Sequence, residues 1–511
     1  MAGWVGGADS IARRVVLGFC MAGLLVGLIA LAAPAKAQES TKPEPKPALP
    51  PELQQPAQTP AAPQLPGAEA QVHTGSQLGE QSLVSRLARL LTDHQIPEME
   101  SLLDAPDEAE DKPDDPAKKS SAAAKLTPVQ KQFFRGVLAN RENKPEDSIK
   151  LLEPLVAALK PGAADSEIPD EKLLRKSLAE DYLRAGQFAK AAQAYQELAT
   201  QLGSAMTPEE RDEIELPLKL LPLAEANPPM SVEPGEAFSL PYDRDALGLT
   251  DVPVFVDAQS HDWMLDPTAP FNLICRSTAK EVGLKVSDQA ATVTTLTGRP
   301  IQVHATVIPR FTLGTVTYRN MTAFVFEDAD YYFPRSNYQV RGVLGYPAIS
   351  AMGSITVTAS AKIEVQPGAK GERLTRGARF FLDGDRIVAA RGRAGDERMF
   401  VIDAGGQQTY LTSRYFAEHA GDFEGKKMQL MTPPGALANS AKPTVPGYVA
   451  ESIALEVGAT PVAFTMMQVL TEPLGNSAID DTYGTLGMDA LEELKSYTFD
   501  YRTMRFAVKP E

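Results

Sequence analysis

Cysteine is nearly absent from this chain: Cys20 and Cys275 are the two in 511 residues. A disulfide framework is therefore excluded, because Cys20 falls in a segment that reads as an export signal and Cys275 would be left alone. The lobes of such a protein must be held together by packing. Cys275 ends an apolar run with no histidine partner beside it, which reads as a buried structural thiol. A surplus of positive charge is absent too. The net charge of -16 argues against nucleic acid and anionic membrane surfaces as partners. The five histidines, His73, His94, His261, His304 and His419, are scattered and show no metal-ligand spacing. No glycine-rich phosphate loop precedes a helix, and no Gly-x-Ser-x-Gly nucleophile motif occurs. Neither a metal nor a cofactor is expected.

What is present begins with an export pattern. Arg13-Arg14 precede an apolar run from Val15 to Ala33, and Ala35-Lys36-Ala37 offer small residues for cleavage before Gln38. This predicts a signal peptide over 1–37 and a periplasmic or secreted location. The run is nearly long enough to span a bilayer, so an uncleaved anchor is the alternative and the one route to a membrane. Residues 38–77 read as a stiff Pro-rich linker, with nine prolines between Gln38 and Gly67. An amphipathic helix is predicted over 78–103, since Leu83, Val84, Leu87, Leu90 and Leu91 share one face. Residues 104–124 are acidic and Pro-containing and read as a second linker.

Helical signals fill 125–226. Leu178, Ala179, Tyr182, Gly186, Phe188, Ala191 and Tyr195 place small residues where two helices cross, aromatics in the groove and glycine in the turn. A weaker copy, Gly136, Ser148, Leu152 and Leu155, lies 43 residues before Ala179, Ala191, Tyr195 and Leu198 (179 − 136 = 43). The pattern resembles the tetratricopeptide repeat, whose usual period is about 34, with Lys160 to Asp170 as a looped insert. A generic bundle of helical hairpins is the plainer reading. The resemblance implies a protein partner on this domain. Two units fall short of the three or so that a free-standing array needs, so docking on neighbouring elements is expected.

From Ser231 the pattern changes to short apolar or alternating runs, the mark of strands. Val254 to Val256 is the first clear strand, after the break at Pro253. Two later stretches share a plan: Trp263 to Ile274 and Phe400 to Leu411. In each an apolar strand ends on an aspartate, and a turn and a second apolar run follow. The aspartates, Asp266 and Asp403, are 137 positions apart (403 − 266). Gly342-Val343-Leu344-Gly345 ends 79 residues after the first (345 − 266), and Gly484-Thr485-Leu486-Gly487 ends 84 after the second (487 − 403). A short helical segment and two strands joined by a polar turn follow each. The repeated order points to internal duplication, with one lobe over 236–366, a connector from Gln366 to Gly377, and a second lobe over 375–511.

This order resembles the retropepsin-like and pepsin-like aspartic peptidases over about half the chain. The expected fold is therefore a multi-domain one: an all-α, tetratricopeptide-like helical hairpin region followed by an all-β bilobal aspartic-peptidase-like domain. The resemblance implies that Asp266 and Asp403 form a dyad that activates one water against a peptide carbonyl. It also implies that Leu344-Gly345 and Leu486-Gly487 pack beside the two turns. Both turns depart from the family's Asp-Thr/Ser-Gly. Pro267 lacks the bracing hydroxyl and a backbone N–H, and Thr268 places a side chain where glycine is expected. Ala404 lacks the hydroxyl, while Gly405 keeps the glycine. A flap hairpin is expected over Thr294 to Ile301, with Thr297-Gly298 at its tip. Tyr331, Tyr332, Phe333 and Tyr338 either line a groove or belong to the core. Two functions remain open: an aspartic endopeptidase acting on peptide or protein substrates, and a catalytically silent relative that binds such segments.

Overall fold

The computed structural model describes residues 82–105, 126–159, 167–245, 250–266, 269–294, 300–334, 337–368, 371–383, 385–391, 397–403, 408–431, 444–458, 460–474 and 477–508. The expected signal segment, the Pro-rich linker and residues 106–124 of the acidic linker lie outside them. Helices come first: α1 (Leu83–Thr92), α2 (Ile96–Asp104), α3 (Pro128–Arg141), α4 (Pro145–Ala158), α5 (Glu171–Arg184), α6 (Phe188–Leu202) and α7 (Pro208–Ala224). Strands dominate from Ser231 onward.

The single helix expected over 78–103 is two helices. His94 adopts the left-handed region at φ 54 and ends α1, and Pro97 stands in the first turn of α2, where a missing N–H costs nothing. The same stop recurs twice more among these helices. The left-handed residue is Asn143 (φ 55) after α3 and Gly186 (φ 69) after α5. The next residue then donates back five positions: Gln95 N–H to Leu90 C=O at 2.8 Å, Lys144 to Ala139 at 2.9 Å and Gln187 to Tyr182 at 2.8 Å. Each is a Schellman-type cap that satisfies carbonyls left open at the helix end. Among the described residues there are thus three helical hairpins, one more than the sequence pattern shows. The starts of α5 and α6 lie 43 residues after those of α3 and α4 (171 − 128, 188 − 145). Gly136 is required where α3 meets α4, since a Cβ there would fall 2.2 Å from Leu152 Cδ2.

The strand Thr250–Val256 runs through Pro253 rather than starting after it. At Pro253 the strand has a ladder partner on one side only, the strand Gln259–Leu265, so the missing donor is tolerated. Alternation buries Val252, Val254 and Val256. The two lobes meet in a shared antiparallel array. Ser354–Thr358 pairs with Lys362–Gln366 on one side and with Tyr497–Asp500 on the other. Tyr497–Asp500 pairs in turn with Arg505–Val508. Thr356 stands opposite Thr498, and their hydroxyls are 2.7 Å apart. These two threonines are 142 residues apart (498 − 356), the offset that also separates Leu344 from Leu486 (486 − 344). Equivalent residues face each other only on a twofold axis, so the junction is a pseudo-twofold. One apolar core runs across it, from Val252 and Trp263 in the first lobe to Phe400 and Phe506 in the second. A second core joins the helices to the other face of the first lobe's sheet and includes Leu220 and Leu221 of α7.

Candidate active site

Three short strands build each half of the site. In the first lobe Gly342–Leu344 lies in the middle. It runs parallel to the end of Gln259–Leu265, with Leu344 opposite Leu265, and antiparallel to Leu273–Cys275. In the second lobe Gly484–Leu486 runs parallel to Glu397–Ile402, with Leu486 opposite Ile402, and antiparallel to Tyr410–Leu411. Parallel pairing of a late strand with an early one brings each Leu-Gly segment beside its aspartate.

The bonds at the two aspartates match. Asp266 N–H donates to Leu344 C=O and Asp403 N–H donates to Leu486 C=O, both at 3.0 Å. Each aspartate is buried, 2% exposed at Asp266 and 5% at Asp403. In the first lobe Ala269 N–H closes the turn on Asp266 C=O at 3.2 Å, and Tyr346 N–H donates to Ala269 C=O at 2.9 Å. Pro267, Thr268, Ala404 and Gly405 lie outside the described residues.

Both glycines that follow leucine are sterically required. A Cβ on Gly345 would sit 2.3 Å from the carbonyl oxygen of Phe271, and one on Gly487 would sit 2.7 Å from the carbonyl carbon of Gln408. Neither φ is positive, -90° at Gly345 and -85° at Gly487, so the requirement is close approach of backbones rather than an unusual conformation. The N–H of each glycine is held by a side chain that sequence reasoning missed. Gly345 N–H donates to Asn272 Oδ1 at 3.0 Å, and Gly487 N–H donates to Thr409 Oγ1 at 2.9 Å. Asn272 and Thr409 each lie six residues after their aspartate (272 − 266, 409 − 403). That shared offset was the available signal, hidden because the two residue types differ.

The candidate flap has paired legs. Val286–Thr294 and Pro300–Leu313 run antiparallel, with Val293 opposite Ile301 and Thr294 opposite Pro300. The tip residues Thr297 and Gly298 lie outside the described residues. Of the aromatic candidates, Tyr331 is core, with its ring 4.3 Å from that of Phe326. Tyr338 donates its hydroxyl to Asp251 Oδ2 at 2.8 Å. Asp251 stands opposite Met264, two residues from Asp266. Burial pushes the Asp251 carboxyl up to about 7, against the pull of the Tyr338 hydrogen bond and with help from Asp245, Asp262 and Asp243.

A family model described as aspartyl protease matches residues 252–348, which span Asp266, the candidate flap and Leu344-Gly345. The chain carries an aspartic protease-like domain. A retropepsin-like aspartic protease from Rickettsia conorii is a similar solved structure. The similarity covers 27% of this chain and 95% of that one, at 12% identity and a TM-score of 0.20. No curated protein matches the chain. The family match lies within the first lobe and ends before the second aspartate.

Proposed function

We propose that the chain is an exported aspartic endopeptidase in which Asp266 and Asp403 form the dyad. One observation carries the reading: both aspartates hang on the same backbone bond, at the same length, on either side of a pseudo-twofold junction. In such a dyad two close carboxylates resist double ionisation and titrate as a unit. One accepts a proton from a shared water as that water attacks the peptide carbonyl. The other donates to the carbonyl oxygen. An acidic optimum follows. The hairpin tipped by Thr297-Gly298 would close over the substrate. The helical region, read as tetratricopeptide-like, would dock a protein partner.

A second reading is a silent relative that binds peptides in the same cleft. The sequence Asp266-Pro267-Thr268 favours it, because the first turn has lost both the bracing hydroxyl and the glycine. Peptide-library cleavage from acidic to neutral pH separates the two. In the peptidase reading Asp266→Asn and Asp403→Asn each lower cleavage about 10²–10⁴-fold, and the double variant falls little further because the pair acts as one unit. A folded wild-type protein that cleaves nothing at any pH sinks the peptidase reading and leaves the binding one.

A further inference from the structure

In the peptidase reading a peptide approaching Asp266 would enter between the candidate flap hairpin and the strands that carry the aspartate. The side chains that would line that entrance on the first lobe are apolar. Met264, Leu273 and Val343 rise from the aspartate side, and Val293, Ile301 and Val303 from the hairpin. None is more than 4% exposed. They are buried under this chain's own helices, in one continuous apolar cluster that includes Leu220 and Leu221 of α7. Helix α7 lies directly against both legs of the flap hairpin.

The same helical region grips the second lobe chiefly by charge, with Phe381 the second-lobe side chain that joins the shared apolar cluster. The grip comes from the turns of the first two hairpins and from Glu100 within α2. Asp93 meets Arg414 at 2.8 Å. Arg141 meets Asp383 at 2.8 Å, and His94 Nδ1 lies 3.4 Å from the same carboxylate. Arg379 pairs with both Glu100 and Glu142. The helical region therefore spans both lobes, filling the apolar entrance of one and clamped ionically to the other. Apolar packing makes the seal tight. The ionic seam is the weaker half where it is half-exposed, at Asp93–Arg414 and Arg379–Glu100, and there it is sensitive to competing charge and to salt.

We infer that the helical region is an intramolecular plug of the first lobe's half of the cleft, clamped by this seam, and that the site opens when the seam lets go. The inference rests on the peptidase reading of Asp266 and Asp403. Its test is therefore built to fail separately.

The test uses the full chain with Cys20→Ser, so that Cys275 is the one thiol. Cys275 is fully buried, on the same strand as Leu273 and in the cluster shared with the helices. Its alkylation rate reports undocking. The cleft probe is a fluorescent decapeptide with a hydroxyethylene group in place of one peptide bond, followed by anisotropy. Asp93→Arg opens the seam, and the swap Asp93→Arg/Arg414→Glu closes it again. Arg379→Glu serves as a second opener should Asp93→Arg fold poorly. Both openers are expected to label Cys275 at least tenfold faster and to bind the probe at least tenfold more tightly than the parent, and the swap to reverse both. Tighter probe binding without cleavage of any peptide keeps the plug and removes the peptidase reading. The plug is overturned if the parent binds the probe as tightly as the openers, if both openers label Cys275 no faster, or if an opened protein binds no probe.

Discussion

Six residues after its aspartate the first lobe has Asn272 and the second has Thr409. Both do one job, holding the N–H of the glycine that follows leucine. They are steadied differently. Asn272 Nδ2 donates to Thr322 C=O at 3.2 Å within its own sheet. Thr409 instead leans on a carboxylate: its hydroxyl donates to Asp489 Oδ1 at 2.6 Å, and its N–H lies 2.9 Å from the same oxygen. A short hydroxyl needs an acceptor to orient it, whereas an amide carries its own donor. Position and role are therefore kept where identity is not. The surroundings differ more. The first lobe's candidate flap hairpin lies against α7. On the second lobe the strand Gln429–Met431 pairs at the start of Val445–Val457, as Val286–Thr294 pairs with the start of Pro300–Leu313, yet Leu430 is 73% exposed and Met428 51%. A pseudo-twofold scaffold has thus been covered on one side.

The sharpest way to break the symmetry is at Asp500, 142 residues after Thr358 (500 − 358). Asp500 is fully buried and takes both Arg502 Nε and Nη2, at 2.9 and 3.2 Å. Thr358 is half-buried with only local bonds. Asp500→Ala should cost about 3–5 kcal/mol, because it removes the carboxylate that pairs with Arg502 and accepts the Leu374 N–H, while the guanidinium keeps the carbonyls of Gly368 and Glu372. Thr358→Ala should stay within about 0.5 kcal/mol. Urea midpoints measure both, and equal losses would show that the lobes share this support after all. Acid adds a signed test. Burial raises the Asp500 pKa, but Arg502 and the N–H groups of Leu374 and Arg502 outweigh it and hold the folded value below 3.8. The stabilisation is present above the unfolded value and lost as pH falls through the lower folded one. The margin over Asp500→Asn should therefore persist at mildly acidic pH and vanish only below pH 3.8.

A smaller effect compares the two glycines. Gly345→Ala should cost about 3 kcal/mol, the upper end for overpacking, since its new methyl meets a carbonyl oxygen. Gly487→Ala, with slightly more room, should cost less. Thermal unfolding ranks them, and the reverse order would show that the second turn is the more tightly packed. The smallest effect sharpens the axis itself. Thr356→Val and Thr498→Val should each cost about 1–2 kcal/mol by leaving the partner hydroxyl without its bond. The double variant should recover much of the loss. Markedly unequal single losses would mean that the hydroxyls lean on different neighbours and that the junction is not symmetric in energy.

Much of the architecture was legible in the residues. The duplicated Asp and Leu-Gly segments are both local patterns, and both sit where the strand alternation puts them. The second and third helical hairpins were readable from small residues at fixed spacing, because close helix crossings admit little else. The first hairpin was not. His94 carries no mark of a left-handed residue, and its conformation is fixed by the cap it completes and by Asp383 beside it.

By itself, then, the sequence determined that helices come first and strands follow, and that the Asp and Leu-Gly segments recur as equivalents, since side-chain periodicity and backbone sterics act over a few positions. Only the tertiary structure decided that Asn272 and Thr409 are counterparts, that Thr356 meets Thr498, and that α7 lies against the first lobe's candidate flap hairpin. Those contacts join residues up to 142 positions apart (498 − 356). They are selected by shape and burial across the whole fold, which leaves no period in the chain to read.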